Sequence, residues 1–160
     1  MRTAIVTHII DPAALLAEVA AARHGATSLF LGSVRDVNDG RAVTGIDYSA
    51  YAAMASAELE CIAKEAVDRF GTDTLVIEHR TGVLGLGEVS VAVAVSHAHR
   101  APALDATRYV IEELKRRLPV WKREHYADGT REWVDPTLTA AGESALKADA
   151  SRRATTEGWS

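Results

Sequence analysis

Thiols are almost missing from this chain: Cys61 is its single cysteine, so no internal disulfide is available and a reducing compartment suits it. Long apolar runs are missing too. The first segment, MRTAIVTHIIDP, is too short in apolar residues for a signal peptide or a membrane span, so a cytoplasmic protein is expected. There is no excess of positive charge: the formal net charge of −4 gives no bulk attraction for nucleic acid or an anionic membrane, and any cationic site must be local. Neither a repeat nor a linker interrupts the 160 residues, of which 48% are hydrophobic. One domain over residues 1–136 is expected, with a tail over 137–160, rich in Ala, Ser, Thr and charge, that is partly helical or disordered unless a partner orders it. Gly82, Gly85 and Gly87 lack the order of a phosphate-binding loop and lead into no helix, which makes them hairpin glycines.

What is present is an alternation of strand and helix signals. Thr3 to Ile10 is β-rich, and Asp11-Pro12 supplies an N-cap and a first-turn proline for a helix to about Arg23. Thr27 to Val34 is a second strand, with Gly32 marking a bulge or a close approach. Asn38-Asp39-Gly40 is a turn signal before a strand over Val43 to Tyr51. Met54, Leu59, Ile62, Ala66, Val67 and Phe70 recur at helical spacing up to Gly71. Two strands follow, Thr74 to Arg80 and Glu88 to His97, the second a central one. A third helix carries Leu104, Thr107, Val110, Ile111, Leu114 and Leu118 on one stripe, which places Lys115 half buried at the stripe's edge. Pro119 ends that helix near Arg117, Trp121 anchors the exit, and Trp121–Tyr126 with Arg131–Val134 form a terminal hairpin.

Several cations fall where elements end: Arg35, His99, Arg100, Lys115 and Lys122. If those ends converge they make a pocket for a phosphate or another compact anion; singly, each reads as a solvated charge. Arg108 and Glu112 are spaced to pair on the helix surface. His97 and His99 share a face as strand residues, but a third metal ligand is lacking, since His79 or His125 would have to arrive from elsewhere in the fold. Cys61 is expected to be a buried, inert thiol, and Tyr51 and Trp121 to be packing residues. The residues leave three functions open: an enzyme using the lysines, a non-enzymatic phosphate- or nucleotide-binding module whose third helix binds a partner, and, least favoured, a metal hydrolase on His97 and His99.

The blocks FLGSVRDVNDGRAV, YAAMA, IEHRTG, SHAHRAPALDA and LKRRLPVWKRE, in this order between about Leu29 and Val134, resemble the large, catalytic subunit of molybdopterin synthase, the MoaE family. The resemblance implies an α+β protein of the α/β hammerhead type, mostly antiparallel, with about three helices and a C-terminal hairpin. It implies a homodimer that binds a small ubiquitin-like sulfur-carrier subunit at each end, a heterotetramer. The carrier's C-terminal Gly-Gly thiocarboxylate would deliver sulfur twice to cyclic pyranopterin monophosphate, which makes the chain a sulfurtransferase of molybdenum cofactor biosynthesis. Lys115 and Lys122 match the family's catalytic lysines, which also bind substrate. Arg35, His99 and Arg100 match its substrate and phosphate residues, and the dimer neighbour is expected to complete the pocket. Because the sulfur comes from the carrier, no catalytic cysteine, metal or cofactor is required. Where the family usually has an acidic residue before the tyrosine, this chain has Ser49-Ala50-Tyr51.

Overall fold

The computed structural model describes residues 1–134. The tail over 137–160 lies outside the described residues, as does the end of the expected 1–136 domain. Among the described residues the order is β1 (Arg2–Val6), α1 (Pro12–Val19), β2 (Ala26–Ser33), β3 (Val37–Asn38), β4 (Arg41–Ala50), α2 (Ala52–Phe70), β5 (Thr74–Arg80), β6 (Gly82–Gly85), β7 (Val89–His97), α3 (Arg100–Arg117), β8 (Val120–Tyr126) and β9 (Arg131–Val134). Three helices and two sheets, antiparallel except for β1 beside β5, match the expected α+β architecture. One sheet runs β1-β5-β7-β2, with the small, branched β7 inside it; the other runs β3-β4-β8-β9, with β6 also on β4.

Local chemistry explains most boundaries. Asp11 accepts the Ala13 N–H at 2.9 Å and caps α1, and Gly71 closes α2 at φ 67°, a left-handed conformation that costs glycine little. The β2–β7 register slips between Gly32 and Ser33, the bulge foreseen at Gly32. Asp39 and Gly40 both take positive φ in the β3–β4 turn, as a two-residue hairpin requires. The main core joins Leu59, Ile62 and Ala66 of α2, Leu75 and Ile77 of β5, Val93 and Val95 of β7, and Val110 and Leu114 of α3.

Other expectations need correction. β1 stops at Val6, not Ile10, because Val6 pairs with Arg80, the last residue of β5, and beyond it there is no strand to pair with. α1 ends at Val19 rather than Arg23: the Val19 carbonyl accepts the Ser96 hydroxyl instead of a helical N–H, and Ala20 turns extended. The glycines after β5 are not a simple hairpin. Gly82–Gly85 crosses to the other sheet and pairs with Gly45–Tyr48, burying Leu84 completely. Met54 is exposed, and so is Leu104 (58%), because α3 turns Ala103, Ala106, Thr107, Val110, Glu113 and Leu114 inward; the two alanines sit where the apolar stripe had placed Leu104. That rotation leaves Lys115 exposed, not half buried. Cys61 is exposed rather than buried, since it lies on the outer side of α2 beside Glu65 (3.4 Å) and Arg117 (3.5 Å). Tyr51 (64% exposed) and Trp121 (46%) are not packing residues either.

His79 is a buried group with a thermodynamic consequence. Its Nδ1 bonds the Arg80 carbonyl at 3.1 Å and its ring meets Tyr48 edge-on, while burial pushes its pKa down to about 4. The unfolded chain then binds the proton first as the pH falls. Stability attributable to His79 is complete above about pH 6.5 and decreases towards pH 4, by about 3 kcal/mol over the 2.5 units. Chemical denaturation of wild type and His79→Gln at pH 7 and pH 4.5 measures this; the variant is expected to show the shallower loss, and parallel losses would refute the assignment.

Candidate active site

β8 is where the sequence places chemistry on one face. Lys122, Glu124 and Tyr126 alternate along the strand and so point the same way. Glu124 is 2% exposed, and its carboxylate accepts from Lys122 Nζ (2.9 Å), Asn38 Nδ2 (2.8 Å) and the Tyr126 hydroxyl (2.7 Å). Burial alone would raise its pKa, but the bonds from Tyr126, Lys122 and Asn38 outweigh that and hold it below the usual carboxylate value. The network fixes the Lys122 ammonium, whose side chain is 20% exposed, instead of leaving it to wander. Glu124, Asn38 and Tyr126 were not singled out from the sequence, although the period of two in KREHY puts the first and last of these on the lysine's face. Glu124→Gln is expected to cost about 1–3 kcal/mol of stability, because a charged donor then faces a neutral acceptor. Denaturation at pH 7 reads the cost.

Lys115 sits in the last turn of α3 together with Arg116 and Arg117, where cations offset the negative end of the helix dipole. Arg117 ties that turn to α2 through Glu58 (2.6 Å) and Glu65 (2.7 Å) and back to Glu113 (3.0 Å). Under this clamp Lys115 itself is exposed and makes no ion pair among the described residues. Leu118-Pro119 then leads straight into β8, so the two lysines flank one helix-to-strand junction. The expected pairing of Arg108 with Glu112 is present at 2.8 Å.

The other cations divide into two groups. Arg35 is exposed just beyond β2, within roughly 11 Å by chain length of Asn38, whose side chain bonds Glu124. His99 and Arg100 are at the far end. Arg100 opens α3 and Lys115 is fifteen residues later, which is about 22 Å of helix. His97, at the end of β7, pairs with Ala26, whereas β2 leaves the sheet near Arg35 at Ser33, opposite Val89; that separation is roughly 25 Å of strand. Within a single chain Lys115 and Lys122 flank one junction and Arg35 is linked to Lys122 only by way of Asn38 and Glu124, while His99 and Arg100 lie at the other end of α3.

His97 and His99 lie with ring centres 6.1 Å apart, and no group of three or more metal-ligating side chains occurs among the described residues. A shallow apolar cavity of about 360 Å³ over β4, β8 and β9 is lined by Ser49, Trp121, Trp133 and Val134.

Fold and cations together define an α+β protein with two lysines flanking a helix-to-strand junction and further basic residues at the opposite end of the same helix. The chain belongs to the MoaE family, whose model matches residues 5–117. It is 41% identical over 126 residues to the molybdopterin synthase catalytic subunit of Emericella nidulans, covering 79% of this chain and 65% of that relative; it thus spans just under two thirds of that protein's length. Among solved structures, molybdopterin synthase from Staphylococcus aureus superimposes with a TM-score of 0.77 at 32% identity, covering 81% of this chain and 94% of that one. A complex of subunits 1 and 2 of molybdopterin-converting factor from Helicobacter pylori gives a TM-score of 0.68 at 26% identity, covering 82% and 89%. No helix among the described residues is long and apolar enough to cross a membrane.

Proposed function

We propose that this chain is the catalytic subunit of a cytoplasmic molybdopterin synthase, transferring sulfur from the thiocarboxylated C-terminus of a small ubiquitin-like carrier to cyclic pyranopterin monophosphate. Membership of the MoaE family supports the reaction, and the name of the Helicobacter complex supports a second subunit. The observation that carries the reading is the junction where exposed Lys115 and braced Lys122 flank Pro119.

Both reactants are anions, a thiocarboxylate and a cyclic phosphate, and they repel each other. Cations at one place offset that repulsion and hold the sulfur against the pterin side chain. The thiocarboxylate sulfur attacks a side-chain carbon, a lysine protonates the departing oxygen, and the carrier is left joined through an acyl–sulfur bond. Water attacks the acyl carbon, a lysine stabilises the tetrahedral oxyanion, and the carrier leaves as a carboxylate with its sulfur on the pterin. A second loaded carrier repeats the cycle. Lys115 takes the place nearest the thiocarboxylate, and Lys122 the one nearer the pterin side chain.

His99 and Arg100 enter the same pocket from a second copy of the chain. Their distance of about 22 Å from Lys115 within one chain favours this over a site built in one protomer. The active assembly is then a homodimer with a carrier on each end.

Incubating the purified protein with thiocarboxylated carrier and cyclic pyranopterin monophosphate tests the reading. Two carriers consumed per dithiolene formed is the expected outcome; carrier that stays fully thiocarboxylated beside bound pterin would leave only an anion-binding module.

A further inference from the structure

We propose that His97, backed by His24 and Gly25, is a positioning residue that sets the turn presenting His99 and Arg100 to the substrate's phosphate, an inference that rests on the function proposed above. His99 occupies the N-cap of α3 but makes no capping bond with its own side chain. Instead, its backbone N–H donates to His97 Nδ1 at 3.0 Å. A ring nitrogen accepting from the N–H two residues on is the imidazole counterpart of an Asx turn. The bond requires a lone pair on Nδ1, so a neutral His97 carries its proton on Nε2. It fixes the backbone across Ala98, and with it the direction in which His99 and Arg100 leave the strand.

The His97 ring is itself held. His24, whose side chain is 8% exposed, stacks on it with centres 6.2 Å apart and planes 14° from parallel. His24 is in turn pinned by Ser96 Oγ (2.7 Å) and Thr74 Oγ1 (3.2 Å), with the Asp73 carboxylate 3.7 Å away. This Asp–His–Ser series is not a hydrolytic triad: Ser96 is fully buried and its hydroxyl donates to the Val19 carbonyl, leaving no accessible nucleophile. Next to His24, Gly25 approaches the turn so closely that a Cβ there would lie 3.0 Å from the Ala98 carbonyl oxygen. The α1–β2 connection thus bears on both the ring and the backbone of residues 97–99. His99 and Arg100, by contrast, are exposed, and neither side chain has a hydrogen-bond or ion-pair partner among the described residues; the His99 ring meets only that of His97. A held turn carrying an exposed imidazole and an unpaired guanidinium is suited to an anion that arrives from outside the chain.

The experiment compares wild type, His97→Ala, His97→Asn and Gly25→Ala as full-length dimers with thiocarboxylated carrier. His97→Ala is expected to raise KM for cyclic pyranopterin monophosphate about tenfold while kcat stays within about twofold. Asn carries an acceptor oxygen that can meet the same N–H, so His97→Asn should restore KM to near wild type. Gly25→Ala, which presses on the Ala98 carbonyl without removing the bond, should raise KM about threefold, and it serves as the test should His97→Ala fail to fold. Unchanged KM in His97→Ala, or an Asn variant no better than Ala, overturns the proposal. Equilibrium binding of the pterin phosphate to the same four proteins separates the two readings. If wild type binds it but makes no dithiolene, the sulfur-transfer reading fails and the ratios of binding constants decide the role of His97; if wild type does not bind it, both fall.

Discussion

Lys115→Ala should lower turnover of loaded carrier and cyclic pyranopterin monophosphate by at least about a hundredfold, with little change in stability. The size follows from what an ammonium does at a developing oxyanion: removing one such donor typically costs about two to three orders of magnitude. The neutral stability follows from exposure, since the side chain makes no ion pair among the described residues and its helix turn is held by Arg117, not by Lys115. Lys115→Arg is expected to recover only part of the loss, because a guanidinium keeps the charge but is a poor proton donor. Single-turnover consumption of the thiocarboxylate, read alongside thermal melting, separates chemistry from folding. Wild-type turnover in Lys115→Ala would sink the mechanism.

The second large effect is a recovery. Lys115→Ala and Arg100→Ala are each expected to be nearly inactive as homodimers. Refolded together, half of the dimers are mixed, and a mixed dimer whose pockets are shared across the interface has one pocket with both lesions and one with neither. Activity should then return to about a quarter of wild type. If Lys115 and Arg100 served the same pocket within one chain, every pocket in the mixture would carry a lesion and nothing would return. The 18-residue length of α3 makes the shared pocket the expected result, because a rigid helix cannot bring its two ends to one small substrate.

Much of the fold was legible because its signals are local. Asp11-Pro12, Asn38-Asp39-Gly40, Gly71 and Pro119 each act through their own backbone preferences within a turn of chain, and the elements begin or end at them as expected. The stripe on α3 held at Thr107, Val110, Leu114 and Leu118, which are buried, and failed at its first residue. Hydrophobicity alone favoured Leu104 as an inward residue, but the space beside the sheet and α2 is filled by Ala103 and Ala106, and close packing of the neighbours decided the rotation. The same kind of contact removed Cys61 from the core and gave β6 a partner in the second sheet.

The sequence by itself marked out the cations proposed to form the site, through the ordered blocks around Arg35, His99-Arg100 and Lys115 to Lys122, and it determined the helix-to-strand junction that carries the lysines. Only the tertiary structure decided how those cations are distributed, with Lys122 braced by a buried Glu124 and His99 and Arg100 a helix length away from Lys115. Turn and cap preferences are written in neighbouring residues, whereas the distance between two side chains depends on how rigid elements pack, and that is settled by the whole chain at once.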